Sequence, residues 1–251
     1  LFAIRAAARK HRVSADDLPA KLEQMSQQLE TIDNSDAELH KLQSLVKTYL
    51  NEFNTAASEL RNARHAAAKM LRTQLLAELP ELKLGSADFM LEFAETPPSS
   101  HGTDDITFMI KTNPGSPFAP LHRAASGGEL ARLMLAMRVV LTGTDDMCSF
   151  VFDEIDTGIS GKTSRKVGMK LKEIGKSSQV ICVTHLSQIA VMADNHLLIE
   201  KNIVDGRTET TVTQLDFQGK TAEIARIMGG DNPGSLVIKA AEDELRKAAE
   251  I

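Results

Sequence analysis

Residues 1–79 contain no glycine, and their only proline is Pro19. Apolar residues recur there in steps of four and three: Leu18, Leu22, Met25, Leu29 and Ile32, then Leu39, Val46, Leu50, Phe53, Ala57, Leu60, Ala67 and Leu71. Asp36, Gln43 and Arg64 fall on the same grid and interrupt it. A stripe this narrow is a coiled-coil seam, because a helix packed on a globular core normally presents a wider apolar face. Helix from about Asp36 to Leu79 would run about 65 Å at about 1.5 Å per residue. A seam of that length requires a partner helix, and no other segment matches it; a helical bundle of its own is the alternative. Ser14-Ala15-Asp16-Asp17, just before Pro19, reads as a helix start after a short first helix. Ser35-Asp36-Ala37-Glu38 fits a capping box, which predicts a break near Asn34.

The pattern changes at Leu79-Pro80, which divides the chain into an arm, 1–79, and a lobe, 80–251. Phe89–Phe93 and Ile106–Ile110 read as strands around a Pro/Ser loop at Thr96–Gly102. A second loop, Asn113–Pro117, leads into Ser126-Gly127-Gly128-Glu129. Helix Glu129–Leu141, strand Ser149–Asp153, helix Thr163–Ile174, strand Gln179–Thr184 and helix Ser187–Met192 follow. Strands alternating with helices imply a parallel sheet. Leu197–Lys201 and Thr210–Leu215 form a closing hairpin with Asp205-Gly206 as its turn. Helices near Thr221–Met228 and Leu236–Ala249 finish the chain.

Three short motifs carry the chemistry. Phe150-Val151-Phe152 is apolar on both faces, as a central parallel strand should be, and it ends in Asp153-Glu154. Ligand sites of open α/β sheets lie at the carboxyl ends of strands, so both acids emerge at a crevice. There Asp153 can hold Mg²⁺, through water, while Glu154 can polarise an attacking water as general base. The next strand, Val180–Val183, ends in Thr184-His185, where a histidine can contact a γ-phosphate or that water. Ser126-Gly127-Gly128-Glu129 opens a helix whose apolar residues, Leu130, Leu133, Met134 and Met137, face a core. A serine hydroxyl, two glycines and free helix-terminal amides make an anion site, the glycines allowing close approach of a phosphate.

Two competing patterns are weaker. Gly161-Lys162-Thr163 imitates the end of a phosphate loop, but the full pattern needs glycine where Asp156 stands. Cys182-x-x-His185 imitates half a zinc site without a second ligand pair nearby. A plain helix cap, a solvated strand end and a buried histidine are the structural alternatives to each motif taken alone.

Composition excludes several classes. Nine Phe, one Tyr and no Trp leave few rings for stacking single-stranded bases. A net charge of −5 gives no global field for nucleic acid, so any such contact must be local. Cys148 and Cys182 lie in apolar, strand-like runs and read as reduced core thiols of a cytosolic protein. There is no apolar run long enough to span a bilayer and no signal-peptide pattern. The first residue is Leu1 rather than Met, as in a fragment.

Three strings carry a family resemblance: Ala125-Ser126-Gly127-Gly128-Glu129-Leu130, then Phe152-Asp153-Glu154-Ile155-Asp156-Thr157-Gly158-Ile159-Ser160-Gly161, then Val183-Thr184-His185-Leu186-Ser187-Gln188. Together they resemble the bacterial DNA-repair members of the structural-maintenance-of-chromosomes-like (SMC-like) branch of the ABC ATPases. The run after Glu154 is not the general transporter version. The resemblance covers essentially the whole chain, most strongly Ala125–Lys201 and more loosely the coiled coil.

It implies an α/β fold: the C-terminal lobe of an ABC-type ATPase head with a mostly parallel sheet, preceded by a long coiled-coil arm. It implies that Ser126, Gly127, Gly128 and Glu129 form the signature that binds ATP, with Ala125 and Glu129 replacing the commoner Leu and Gln of transporters. Asp153 takes the Mg²⁺-ligand position, Glu154 the catalytic base, Asp156 a place in the nucleotide-contacting D-loop and His185 the switch histidine. The implied partners are DNA, an N-terminal half of the same protein carrying the Walker A phosphate loop, and a second copy with ATP sandwiched between heads. The implied setting is the bacterial cytoplasm, at the nucleoid, and the lobe alone is expected to be inactive. A different SMC-family chromosome ATPase and a non-enzymatic coiled-coil tether are the alternatives.

Overall fold

A computed structural model describes residues 2–124, 126–141, 148–204 and 207–251. Ala125 of the first motif and the Asp205-Gly206 turn lie outside the described residues. The chain forms two compact units, Leu1–Ala63 with Pro98–Thr103, and Arg64–Pro97 with Asp104–Ile251.

The first unit is built on helix α1 (Phe2–His11) and the greater part of α2 (Leu18–Glu78). Ser14 and Asp17 mark the start of α2 as expected: the Ser14 hydroxyl donates to Asp17 Oδ2 at 2.5 Å and accepts the Asp17 N–H at 3.2 Å. The expected break near Asn34 does not occur, and α2 runs through without interruption. The Ser35 hydroxyl donates back to the Thr31 carbonyl at 2.7 Å, a bond available only inside a helix, instead of capping a new one. Along this stretch the apolar seam is uncovered: Leu22 is 68% exposed, and Leu29, Ile32, Leu39, Val46 and Leu50 are all exposed.

The second unit begins with the final turns of α2, where Leu75 is fully buried, and a 3₁₀ turn, Leu79–Leu82. Strands β1 (Asp88–Ser99), β2 (Gly102–Lys111) and β3 (Ala119–Pro120) form a sheet in that order. The expected loop at Thr96–Gly102 shrinks to Ser100-His101, and Pro97-Pro98 sits in β1 itself. That strand is an edge, where a missing N–H costs no ladder bond.

Next come α3 (Leu121–Ala124), α4 (Gly127–Val140), β4 (Ser149–Phe152), α5 (Lys162–Gly175), β5 (Gln179–Cys182) and α6 (Ser187–Ala190). β4 and β5 are parallel, pairing Phe150 with Val180 and Phe152 with Cys182. The hairpin β6 (Leu197–Val204) and β7 (Arg207–Gln214) is antiparallel, and α7 (Phe217–Gly229) and α8 (Ser235–Ala249) close the chain. One core joins Leu75, Leu79, Phe89, Ile110, Leu133, Phe152, Ile155 and Val167; a second joins Val191, Met192, Ile224, Ala241 and Leu245. α5 meets α6 closely at Gly168, where a Cβ would lie 2.9 Å from Met192 Cγ and 3.0 Å from the Gln188 carbonyl oxygen.

Three sequence readings change here. β4 was expected to be covered on both faces, yet Val151 is 68% exposed, and Ile181 and Val183 beside it are exposed too. Only the Phe150–Phe152 side of this pair packs on the core. α4 buries Leu133, Leu135 and Ala136 and packs Met137 partly buried against the same core, as expected, whereas Leu130 and the exposed Met134 line, with one side of Met137, an open groove of about 540 Å³ against β4. The helix is apolar on two faces, and the 3.6-residue pattern alone does not say which one meets this core. Cys148, read as a core thiol, is exposed at the entry to β4.

Candidate nucleotide-hydrolysis site

β4 delivers Asp153 and Glu154 at its carboxyl end, and the parallel β5 delivers Thr184 and His185 beside them. The backbone N–H of Val183 donates to the Phe152 carbonyl at 2.9 Å, so the ladder continues to the last residue before the acids. Asp153 and Glu154 are both exposed. Asp153 Oδ1 accepts the Glu154 N–H at 2.8 Å. Among the described residues its second oxygen has no hydrogen-bond partner, which suits a hard cation bound directly or through water. No group of three or more His, Cys, Asp or Glu side chains is gathered for a metal among the described residues. A magnesium ion at Asp153 would therefore complete its shell with water and nucleotide oxygens.

Glu154 holds φ = +56°, a left-handed conformation that costs a side-chain-bearing residue roughly 1–2 kcal/mol. The chain turns sharply there, with the Thr157 N–H donating to the Glu154 carbonyl at 3.0 Å. The turn brings the Glu154 carboxylate over the start of α4. A Cβ on Gly127 would stand 2.4 Å from Glu154 Oε2. A Cβ on Gly128 would stand 3.0 Å from both the Glu154 carbonyl oxygen and Thr157 Cβ. Gly128 thus has a reason within this chain, because the main chain of the acidic turn packs on it, whereas at Gly127 only the mobile end of the exposed Glu154 side chain would have to give way.

Ser126 and Glu129 form a capping box. The Ser126 hydroxyl accepts the Glu129 N–H at 3.4 Å, and Glu129 Oε2 accepts the Ser126 N–H at 3.1 Å. Both residue types are accounted for by the helix start, whatever else binds there.

Asp156 is 4% exposed, and its Oδ2 accepts two hydrogen bonds. The donors are the Thr184 hydroxyl at 2.6 Å and the His185 backbone N–H at 2.9 Å, and His185 Nδ1 stands 3.0 Å from the same oxygen. The Thr184 hydroxyl in turn accepts the Leu186 N–H at 3.1 Å. The His185 side chain is 75% exposed. Cys182 lies beneath these groups; burial above all, with Asp156 and Asp153 nearby, pushes its thiol up to about 12. It stays protonated at neutral pH and does not supply the thiolate that zinc requires.

Sequence reading missed Arg132. It is 4% exposed, and its guanidinium donates to the carbonyls of Leu82 at 3.0 Å, Ile155 at 3.3 Å and Thr157 at 2.8 Å. Burial lowers its pKa from the ordinary arginine value. Lys83, in a left-handed conformation at φ = +61°, adds a bond from Nζ to the Gly158 carbonyl at 2.8 Å. Four consecutive residues after Glu154 are thereby tied to α4, β5 or the 3₁₀ turn. The available signal for Arg132 was an arginine inside the apolar run Leu130–Ala136, since buried charges are almost always paired.

The long helix leading into an α/β lobe gives this chain the fold seen in SMC head domains that carry a coiled coil. A crystal structure of the Smc head domain with a coiled coil and joint from Pyrococcus yayanosii matches at a TM-score of 0.52, covering 94% of this chain and 42% of that one, at 17% identity. DNA repair protein RecN of Vibrio cholerae is 38% identical over 240 residues, 95% of this chain and 43% of that protein. RecN of Bacillus subtilis is 33% identical over 264 residues, 99% of this chain and 46% of that protein. The chain belongs to the RecN family and spans somewhat less than half the length of these relatives. No model of a protein family matches it. None of its described helices is long and apolar enough to cross a membrane.

Proposed function

We propose that this chain is the C-terminal half of an ATP-hydrolysing DNA double-strand break repair protein, with 1–79 as its returning coiled-coil arm and 80–251 as half of its head. The observation that carries the reading is the convergence of Asp153, Glu154, Thr184 and His185 at adjacent parallel strand ends. Glu154 acts as general base on the water that attacks the γ-phosphate, and Asp153 holds Mg²⁺, which neutralises charge on the phosphate oxygens. His185 contacts the same water or phosphate. Ser126, Gly127, Gly128 and Glu129 serve ATP held by a second copy, so that two heads sandwich nucleotide between them.

The phosphate loop comes from the N-terminal half of the same protein. Two features support such a partner. The Leu130–Met134–Met137 groove runs along the β4 edge that β5 leaves unpaired. Val151, Ile181 and Val183 present an apolar face that a further layer would cover. The exposed seam of α2 calls for an outgoing helix in the same way. DNA as partner, and a place in the bacterial cytoplasm at the nucleoid, rest on the likeness to DNA repair protein RecN.

Glu154→Gln in the full-length protein is expected to abolish steady-state ATP hydrolysis while nucleotide binding persists. Loss of one base is worth about 10²-fold or more. Turnover equal to wild type would remove Glu154 as base; absence of turnover in wild type would leave a coiled-coil tether instead.

A further inference from the structure

We propose that Arg5, Arg9, Lys10 and Arg12, on and just after helix α1 of the arm, form a contact for the phosphate backbone of DNA. The proposal rests on the reading of DNA as a partner and adds the place where this chain meets it.

From Phe2 to Val13 the chain carries these four cations and His11 but no aspartate or glutamate, although its net charge is −5. All four are exposed, and among the described residues none of their side chains makes a hydrogen bond or ion pair. The first acids to follow, Asp16 and Asp17, precede α2, where the Ser14 hydroxyl holds Asp17. A helix face that serves only solubility mixes signs, as α2 does with Lys21, Glu23, Glu38 and Lys41. A helix C-terminus favours cations, which accounts for Arg9 and Lys10 in the last turn but not for Arg5.

Arg12 is the more telling residue. The Val13 N–H donates to the Ala8 carbonyl at 3.0 Å and the Arg12 N–H to the Arg9 carbonyl at 3.3 Å, a helix end that places Arg12 in the left-handed region at φ = +54°. Glycine suits that position best, so the helix end itself gives no reason for an arginine there. Arg5 and Arg9, four residues apart, share a face and stand about 6 Å apart along the axis at about 1.5 Å per residue. A duplex presents one negative charge per about 1.7 Å of its axis, so a row of this length meets several phosphates. Three of the four cations are arginine, whose planar fork matches phosphate in two bonds. A lipid surface fits less well, because an interfacial helix buries a continuous bulky apolar face, and here Phe2 and Ile4 give way to Ala6, Ala7 and Ala8.

The test uses full-length protein and a short labelled duplex of mixed sequence, titrated by anisotropy from about 50 to 200 mM salt. Each phosphate contact contributes about 0.9 to the slope of log affinity against log salt. Combining Arg5→Gln, Arg9→Gln and Arg12→Gln should reduce that slope by about 2–3 and weaken binding about 10²-fold near 0.1 M salt. Arg5→Gln alone should remove about 0.9, which keeps the proposal testable one residue at a time. The three corresponding lysine substitutions should keep most of the slope. Circular dichroism should show an unchanged unfolding midpoint throughout. A glutamine triple variant with the slope and affinity of wild type overturns the proposal. So does a lowered midpoint with an unchanged slope, which would mark pairing with an acidic helix of the protein's other half. Binding to phosphatidylserine vesicles that the triple variant loses while duplex binding persists would make the patch a membrane contact instead. Wild type that binds no duplex overturns the DNA reading and the patch with it; wild-type binding that the triple variant retains overturns the patch alone.

Discussion

Removing Arg132 tests whether the acidic loop is held from α4. Its guanidinium makes three bonds to main-chain carbonyls, at 3.0, 3.3 and 2.8 Å, from a site 4% exposed. Hydrogen bonds to a charged group contribute about 1.5–3 kcal/mol each, so the gross loss on truncation is about 4.5–9 kcal/mol. Relief of the buried charge returns several kcal/mol of that, since taking an ion out of water costs about this much. The expected net destabilisation for Arg132→Met, which keeps the stem and strands the three carbonyls, is about 3 kcal/mol. At about 2–4 °C per kcal/mol for a protein of this size, the unfolding midpoint should drop by about 6–12 °C. Arg132→Lys keeps the charge but loses the planar fork that reaches separate carbonyls, and should recover little. Thermal and urea unfolding followed by circular dichroism give both numbers. A midpoint within about 2 °C of wild type for Arg132→Met would refute the reasoning. Full stability of Arg132→Lys would refute the role of the fork.

Two further outcomes follow from packing and burial. Gly168→Ala gains roughly 0.5–1 kcal/mol of helix propensity but forces a Cβ against the Gln188 carbonyl and Ile189 backbone, so urea unfolding should show a net loss of about 1–2 kcal/mol; a stabilised variant would mean that α5 and α6 are not in tight contact. His196 has its pKa lowered from 6.5 by burial first and by Lys220 second, with the Ala190 and Ala193 backbone and Glu223 opposing. The unfolded chain then binds a proton that the folded chain resists, so the stability His196 contributes is complete above 6.5 and falls as pH drops below it. His196→Gln should flatten stability against pH in that interval, measured by urea midpoints at stepped pH. A slope unchanged by the substitution would refute the assignment. Glu81, held low first by its bond to Lys166, and Glu244, held low first by Arg165, lose their contribution only below 4.5, a separate window.

The long arm was legible because its signal is the simplest in the chain: no glycine, one early proline and a single period. The false break at Asn34 came from a capping box that is real as a pattern but loses to continuous helix, with Ser35 bonding back to Thr31. Strand and helix order in the lobe was legible from the alternation of periods. The readings of burial that failed share one cause. Whether an apolar face is buried depends on what lies against it, and Val151, Met134 and Cys148 each sit where the local pattern says core, yet they stay exposed among the described residues. At the site, the residues that emerge from strand ends were readable, because the strand direction puts them there. Arg132 and the true contacts of Asp156 were not, because their partners are main-chain carbonyls, an amide and side chains 23 to 50 residues away.

The same contacts change what the Ser-Gly-Gly-Glu motif has to explain. Read along the sequence, its glycines answer to a phosphate; in the folded chain, Gly128 also answers to Glu154, whose left-handed turn sets its carbonyl 3.0 Å from where a Cβ would stand. From that turn the links run without a gap. Glu154 packs on the start of α4, Arg132 of α4 grips the carbonyls of Ile155 and Thr157, and Asp156 between them holds Thr184 and His185. Motifs separated by about fifty residues are therefore joined in one hydrogen-bonded cluster, and a substitution in one of them is felt in the packing of the others.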